Sequence, residues 1–422
     1  MDVADVKSGK VDLSGWVQDK RILGKVAFFV LRDQSGKIQI TTKDEKMIKT
    51  INSLPKESAV IVEGRVKKSK KAPGGIEIIP SKIELVSTSE VVPLTTRYVK
   101  AELDTRLNWR CLDLRNEKRQ AVFKIEAKIV EGLVDYFLKN KFFWMQTPCL
   151  MASPSEGGAD MFPVIYFNKE AFMRQDPMLH RQLVIASGFK RVFEMGPSWR
   201  AEKSHTTRHV CEHRTVAAEI AFIENEYDVI KVEQAAVLNA LKLVKKDCKN
   251  ELTLLGKKIE IPKKDFPILE FPAVYEILKK HGKKIPYGED YDTQSEKILG
   301  LYVKKRYDAD FFFVNKFPYK AKPFYVMRDK RPWARSVDLL CKGLELSSGG
   351  QRENRYEVLV KQAKEKKMNL KNLEWYLKFF KYGVPPHGGF SLGFERMTQA
   401  LLDLDNIQEA ILFPRTPERL EP

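Results

Sequence analysis

Between residues 10 and 87 the chain is cut into short runs in which apolar and polar residues alternate: VDLSGWV, KVAFFVLRD, GKIQITTK, SAVIVEGRV and GGIEIIPSKIELV. Alternation at period two gives each run one apolar face, as in a half-buried strand, and the Gly and Lys between runs read as turns. One helix is expected, around residues 43–53. Five strands of this length bury their apolar faces most economically by closing into a small barrel. After VVPL (92–95) the alternation stops, residues 91–115 read as a linker or hinge, and NEKRQAVFKIEAKIVEGLVDYFLKN (116–140) takes up helical periodicity. A barrel domain over 1–90 and a larger domain over 116–422 are therefore expected.

Strand count and the single helix make the OB-fold the economical form of this barrel. Beyond it, strand-like runs such as RVFEMGPSW and AEIAFI alternate with helical runs such as VIKVEQAAVLNALKLVKK and NRYEVLVKQAKEKK. Segregated hairpins and helices predict an α+β domain with a mainly antiparallel sheet flanked by helices. The 74 Lys and Arg against 56 Asp and Glu leave a formal charge of +18. Such basicity attracts a polyanion such as nucleic acid or an anionic membrane surface, unless it merely reflects a Lys-rich proteome. No apolar stretch approaches the ~18 residues of a membrane span, and MDVADVKSGK has no signal-peptide pattern. Five scattered cysteines without a CxxC pair suggest neither a disulfide framework nor a cysteine zinc site. A soluble, cytoplasmic protein without a membrane role is expected.

Three stretches carry the chemistry. In GPSWRAEKSHTTRHVCEHRTVAAEIAFI (196–223) two β-like runs flank a polar loop, so Arg200 and Arg208 extend from opposite arms of one hairpin toward a shared anion. Glu202 could orient a base or an amine; the alternative is a surface hairpin with solvated charges. His205, His209 and His213 recur every four residues, as zinc ligands do on a helix. The strand-like flanks, and the lack of a completing Cys or carboxylate, argue against zinc. In SVDLLCKGLELSSGGQREN (336–354), Asp338 and Glu345 fall across an expected strand pair, where two carboxylates can hold Mg2+ against a triphosphate. Arg352 can grip a carboxylate in bidentate fashion. Taken alone, an Asp and a Glu in such a place are more often simply solvated. In the last stretch (384–422), a glycine-rich strand runs into a helix. Gly388, Gly389 and Gly393 let a base and ribose approach the backbone, while Arg396 can lie over adenine or reach the terminal phosphate.

In order and spacing these stretches, with KFFWMQTPCL (141–150) upstream, resemble the three signature motifs of class II aminoacyl-tRNA synthetases. With the barrel and the loop SPSEGGADMF (153–162), the resemblance covers essentially the whole chain and points to the aspartyl/asparaginyl branch. It implies ATP-dependent activation of L-aspartate, or L-asparagine, with Mg2+, transfer to tRNA, and a homodimer built on the first motif, which ends at Pro148. It further implies that Arg200 holds the α-phosphate, with Glu202, Arg208, His209 and Val210 around the rest of ATP. His213 stands where relatives stack an aromatic on adenine, and Glu345, Gly393, Phe394, Glu395 and Arg396 line the nucleotide. Asp338 and Glu345 match the metal-binding acids, with Ser348 between metal and amino acid. Around the amino acid the matching positions are Glu156 in a mobile lid, Met178, Arg181, Arg200, Ser348, and Arg352, which reads the side-chain carboxylate. In the barrel, Phe28, Gln39 and Glu77 match the anticodon-reading positions, and RVKKSKK (65–71) either tracks the phosphate backbone or is solvated.

The segment QDPMLHRQ (175–182) departs from the family's Q-S-P-Q-x-x-K-Q: Asp176 replaces a serine, Met178 a glutamine, and Arg181 the lysine that helps hold the substrate carboxylate. Ala217 stands where the family has an acid that binds the substrate ammonium. Asp176, which faces the same amino acid in relatives, is the candidate replacement. Two cations near the side chain, Arg181 and Arg352, favour a carboxylate over an amide. Aspartate is thus expected ahead of asparagine, and a paralog with lost or altered amino-acid specificity is the further alternative.

Overall fold

The computed structural model describes residues 1–94, 101–153, 161–203 and 206–421, and the chain divides into two compact units, Met1–Asp113 and Leu114–Pro422. In the first, β1 (Lys10–Leu23), β2 (Val26–Arg32), β3 (Lys37–Thr42), α1 (Glu45–Ser53), β4 (Ala59–Lys68) and β5 (Ile76–Ser87) follow the expected order. The strands close into a barrel as β1-β2-β3-β5-β4. The period-two pattern decides this: Leu13, Phe29, Leu31, Ile40, Val62 and Ile78 turn inward to one core while their neighbours face out. Closure needs a tight approach at Gly64, where a Cβ would lie 2.5 Å from the Ile79 carbonyl oxygen. Helix α1 begins at Asp44, whose side chain accepts from the Met47 N–H. Part of the stretch expected as linker is helical, in α2 (Leu103–Asn108) and α3 (Arg110–Asp113). There the buried Asp113 is paired with Arg106 at 3.1 Å and Arg110 at 2.9 Å.

The second unit opens on α4 (Glu117–Lys139), which realises the helix read at 116–140, followed by β6 (Phe143–Trp144), β7 (Leu150–Met151), β8 (Pro163–Tyr166), β9 (Lys169–Met173) and α5 (Met178–Ala186). The hairpin β10 (Arg191–Trp199) and β11 (Glu212–Ala221) is next, then α6 (Glu226–Asp247), α7 (Lys249–Leu255), β12 (Ile268–Glu270), α8 (Ala273–Lys280) and α9 (Thr293–Tyr307). Strands β13 (Phe311–Asn315), β14 (Ser336–Cys341) and β15 (Leu344–Gln351), helices α10 (Tyr356–Glu365) and α11 (Leu370–Leu377), strand β16 (His387–Gly393) and helix α12 (Phe394–Leu402) complete it.

Eight strands form one sheet in the order β12-β13-β14-β15-β16-β11-β10-β6, and β7, β9 and β8 form a small second sheet. The large sheet is antiparallel from β13 through β10, with parallel pairs only at its two edges. Its two faces differ in chemistry. Phe193, Val216, Leu339 and Leu392 pack under α4, α6 and α12 in one apolar core. Helices α4 and α6 approach closely at Gly132, where a Cβ would lie 2.5 Å from the Ala240 Cα. On the other face the register aligns Asp338, Ser348, Ser391, Ala217 and Glu194 in one row across β14, β15, β16, β11 and β10. Alternation thus separates a greasy face from a polar one, and the polar one carries the site.

Candidate active site

Pairing of β10 with β11 brings the ends of the polar loop together: the Arg200 N–H donates to the Cys211 carbonyl at 2.9 Å, and the Cys211 N–H donates to Arg415 at 2.7 Å. Arg200, Glu202, Arg208, His209, Val210 and His213 then form one wall of a cleft of about 420 Å³. Asp338, Glu345 and Ser348 from β14 and β15, with Ser391, Gly393, Glu395 and Arg396, face them. Asp176 and Met178 also line the cleft, and Met178 packs on its other side against the core around Leu179 and Phe324.

Other expected site residues lie elsewhere. Phe394 is buried in the core beneath the sheet, Arg181 and Arg352 are fully buried without lining the cleft, and Glu156 and His205 fall outside the described residues. Gly388 and Gly389 do not line the cleft either; they admit neighbouring strands, since a Cβ on Gly389 would lie 2.0 Å from the Ala218 carbonyl oxygen.

The cleft is electrostatically divided. Burial, aided by Arg200 and Arg396, pushes the His213 imidazole down to about 3, and burial with Arg396 holds His209 below its ordinary value. Both rings are therefore neutral at pH 7, the form suited to stacking on a base. Arg208 does not point freely at the cleft: its guanidinium pairs with Glu296 at 2.5 Å and donates to the Thr293 hydroxyl, both in the first turn of α9. Arg396 donates to the Glu345 carbonyl at 3.2 Å.

Asp338 is 2.9 Å from the Lys322 ammonium, which also sits over the Phe317 ring. Burial, opposed by Lys322 and reinforced by Glu345, pushes the Asp338 carboxyl up to about 7. Among the described residues no three His, Cys, Asp or Glu side chains converge to hold a metal by themselves. Two crowded carboxylates with the Ser348 hydroxyl nevertheless fit Mg2+, a hard cation that completes its shell from water and phosphate. A divalent charge there would offset the burial and the Glu345 repulsion that raise Asp338.

Around Asp176 the side chains form a buried ionic cluster, in which Arg181 Nε and Nη1 have no hydrogen-bond partner among the described residues. Arg352 donates to Glu219 through Nε at 2.9 Å and to the Gly389 carbonyl at 2.8 Å. Arg181 donates to Asp176 at 2.8 Å, and Ser391 donates to the other Asp176 oxygen at 2.7 Å. Two guanidinium groups thus meet two carboxylates and the local charge sums to zero. The two cations expected near the side chain each have a carboxylate partner, Asp176 for Arg181 and Glu219 for Arg352. Sequence reading missed Glu219, whose signal was its place two residues after Ala217 on the same strand face. Lys322 and Glu296 carried no such signal, because nothing in KFPYKAKPFY or TQSEKILG announces what the chain folds against them.

In the barrel, Phe28 stands opposite Thr41, and Gln39 opposite Glu77, so the three expected residues share the outer face of β2, β3 and β5. Phe28 is partly exposed, while Glu77 is fixed by the Thr41 hydroxyl at 2.8 Å and the Gln39 amide at 3.1 Å. Among the described residues no helix is long and apolar enough to cross a membrane.

Comparison with known proteins gives the family. Residues 102–417 match the family of class II tRNA synthetases (D, K and N), and residues 11–86 match the OB-fold nucleic acid binding domain. The chain is 44% identical, over its whole length and 98% of the relative, to the aspartate–tRNA(Asp) ligase of Pyrococcus furiosus. It is 40% identical to the aspartate–tRNA(Asp/Asn) ligase of Methanopyrus kandleri, over all of this chain and 98% of that one. Among solved structures, asparaginyl-tRNA synthetase from Pyrococcus horikoshii complexed with asparaginyl-adenylate superposes with a TM-score of 0.92 at 32% identity, covering 99% of this chain and 98% of that one. The chain belongs to the class II tRNA synthetases of the D, K and N group.

Proposed function

We propose that the chain is an aspartate–tRNA ligase, which activates L-aspartate with ATP to aspartyl-adenylate and then esterifies the 3′-terminal ribose of tRNA. One observation carries the chemistry: three arginines, Arg200, Arg208 and Arg396, share a cleft with the paired acids Asp338 and Glu345. Aspartate is preferred because full-length relatives at 40–44% identity bear that name.

In this reading the α-carboxylate of aspartate attacks the α-phosphorus of ATP and pyrophosphate leaves. Arg200 neutralises the charge that develops on the α-phosphate, Arg208 and Arg396 hold the outer phosphates, and the neutral ring of His213 stacks on adenine. Asp338, Glu345 and Ser348 would hold Mg2+, which when bound offsets phosphate charge and orients the leaving group. Arg352, braced by Glu219, is the group that reads the substrate side chain, with Arg181 beside it. Transfer needs no protein nucleophile, because the tRNA ribose hydroxyl displaces AMP.

The barrel would take the anticodon, with Phe28 stacking on an unpaired base and Gln39 and Glu77 offering hydrogen-bonding edges. A cytoplasmic homodimer fits as well: β6 is an edge strand of the large sheet, and its Phe143 and Trp144 are 50% and 42% exposed.

The neutral cluster at Arg181 and Asp176 favours a second reading, asparagine–tRNA ligase, since an amide needs no uncompensated cation. Pyrophosphate exchange separates the two. Protein, ATP and Mg2+ are incubated with aspartate or asparagine in turn, and label is expected in ATP with aspartate. Exchange with asparagine alone overturns the first reading, and exchange with neither overturns both.

A further inference from the structure

Every α-amino acid brings an ammonium group that a water-poor cleft must pair with an anion. We infer that in this chain the anchor is Asp176, carried on the loop before α5 instead of on a strand of the sheet. The inference rests on the reading of the cleft as an amino-acid-activating site.

The row Asp338, Ser348, Ser391, Ala217 crosses the polar face of the sheet. Its β11 position, Ala217, is a methyl group that can accept nothing, although its strand neighbours on the same face are Thr215 and Glu219. Both Glu219 oxygens are directed at Arg352, so its charge is already paired. Next to Ala217 in the row stands Ser391, and its hydroxyl donates to Asp176 Oδ2 at 2.7 Å. The Asp176 carboxylate is therefore brought from another element to the strand position next to the one that lacks an acid.

Six other acids line the cleft, Glu202, Asp290 and Glu345 among them; Asp176 is the one bonded to Ser391, the neighbour of Ala217. Glu296 pairs with Arg208, Glu395 accepts from the Arg214 N–H at 2.9 Å, and Asp338 pairs with Lys322 at 2.9 Å. Asp176 retains capacity. A carboxylate offers about four acceptor sites, of which Arg181 and Ser391 take one each, and the side chain lines the cleft with 13% of its surface exposed. Burial would raise its carboxyl, but Arg181 and Ser391 hold it below the ordinary value, so it is an anion at neutral pH. The same salt bridge explains why Arg181 is drawn away from the cleft.

The competing reading is that Asp176 is only a counter-ion for Arg181, and the test must tell the two apart. Exchange is measured on the full chain and on Asp176→Asn, with ATP, Mg2+ and L-aspartate, and with succinate, which is aspartate without its ammonium, as competitor. If Asp176 holds the ammonium, Asp176→Asn raises KM for aspartate about 10- to 100-fold, the scale of one charge-assisted hydrogen bond. KM for ATP and the inhibition constant of succinate stay in place. Adding Ala217→Asp returns an anion to the same row and recovers aspartate binding.

Unchanged KM for aspartate, or equal weakening of aspartate and succinate, overturns the inference. So does a folded double variant that recovers nothing. Should the double variant fail to fold, judged by thermal unfolding, the contrast between aspartate and succinate in Asp176→Asn decides alone. Absence of aspartate-dependent exchange in the unaltered chain sinks the functional reading instead, and is seen before any variant is made.

Discussion

Glu126 on α4 has a carboxylate oxygen without a donor among the described residues, and it faces the carboxyl of Glu395 at the cleft wall. Burial, then repulsion from Glu395, pushes it up to about 8, against the Thr398 hydroxyl and Arg214, which pull the other way. The unfolded chain loses this proton near 4.5 and the native chain near 8. Stability from this group is therefore complete below about pH 4.5 and falls as pH rises to about 8. Glu126→Gln, which cannot ionise, should match the parent in acid and exceed it by on the order of 3 kcal/mol at about pH 9, read by denaturant unfolding. Equal pH dependence in the two would show that Glu126 ionises normally. At this scale the sequence was readable where charge sits inside a motif, as with Arg200, Asp338 and Arg396. It was opaque where a residue acquires its role from a distant partner. Arg208 reads as a phosphate ligand, yet its company, Glu296, lies 88 positions away and meets it only after the sheet has formed.

Elements were more legible than their arrangement, because the periods 2 and 3.6 are local and strand order is not. The run 116–140 and helix Glu117–Lys139 agree almost residue for residue, and the five barrel strands fall on the five alternating segments. Nothing local, by contrast, says that β16 inserts between β15 and β11. That placement gives the glycines of β16 a role the sequence alone had assigned to ligand access. A Cβ on Gly389 would meet the Ala218 carbonyl oxygen at 2.0 Å and a Glu219 carboxylate oxygen at 2.4 Å. Gly389→Ala should thus cost about 3 kcal/mol of stability by overpacking. It should also weaken aspartate binding more than ATP binding, because the displaced Glu219 is the partner of Arg352. Unfolding and exchange kinetics check the two halves. A stable variant with a normal KM for aspartate would mean that the strands can separate without disturbing that pair.

Across the whole molecule the chemistry is divided between units that each have their own core. The net charge of +18 favours RNA but does not say where it is read. The outer face of β2, β3 and β5 narrows the choice, since Phe28 is a partly exposed ring beside two pre-set polar groups. Amino-acid activation requires none of these, whereas tRNA charging requires both units to engage one substrate. Phe28→Ala should therefore leave aspartate-dependent pyrophosphate exchange intact and raise KM for tRNA about 10- to 100-fold, the energy of one base–aromatic stack. Added salt should weaken tRNA binding in parent and variant by the same slope, because the phosphate contacts are untouched. If exchange and charging fell together, Phe28 would be a structural residue of the barrel. If neither changed, the anticodon would be read on another face.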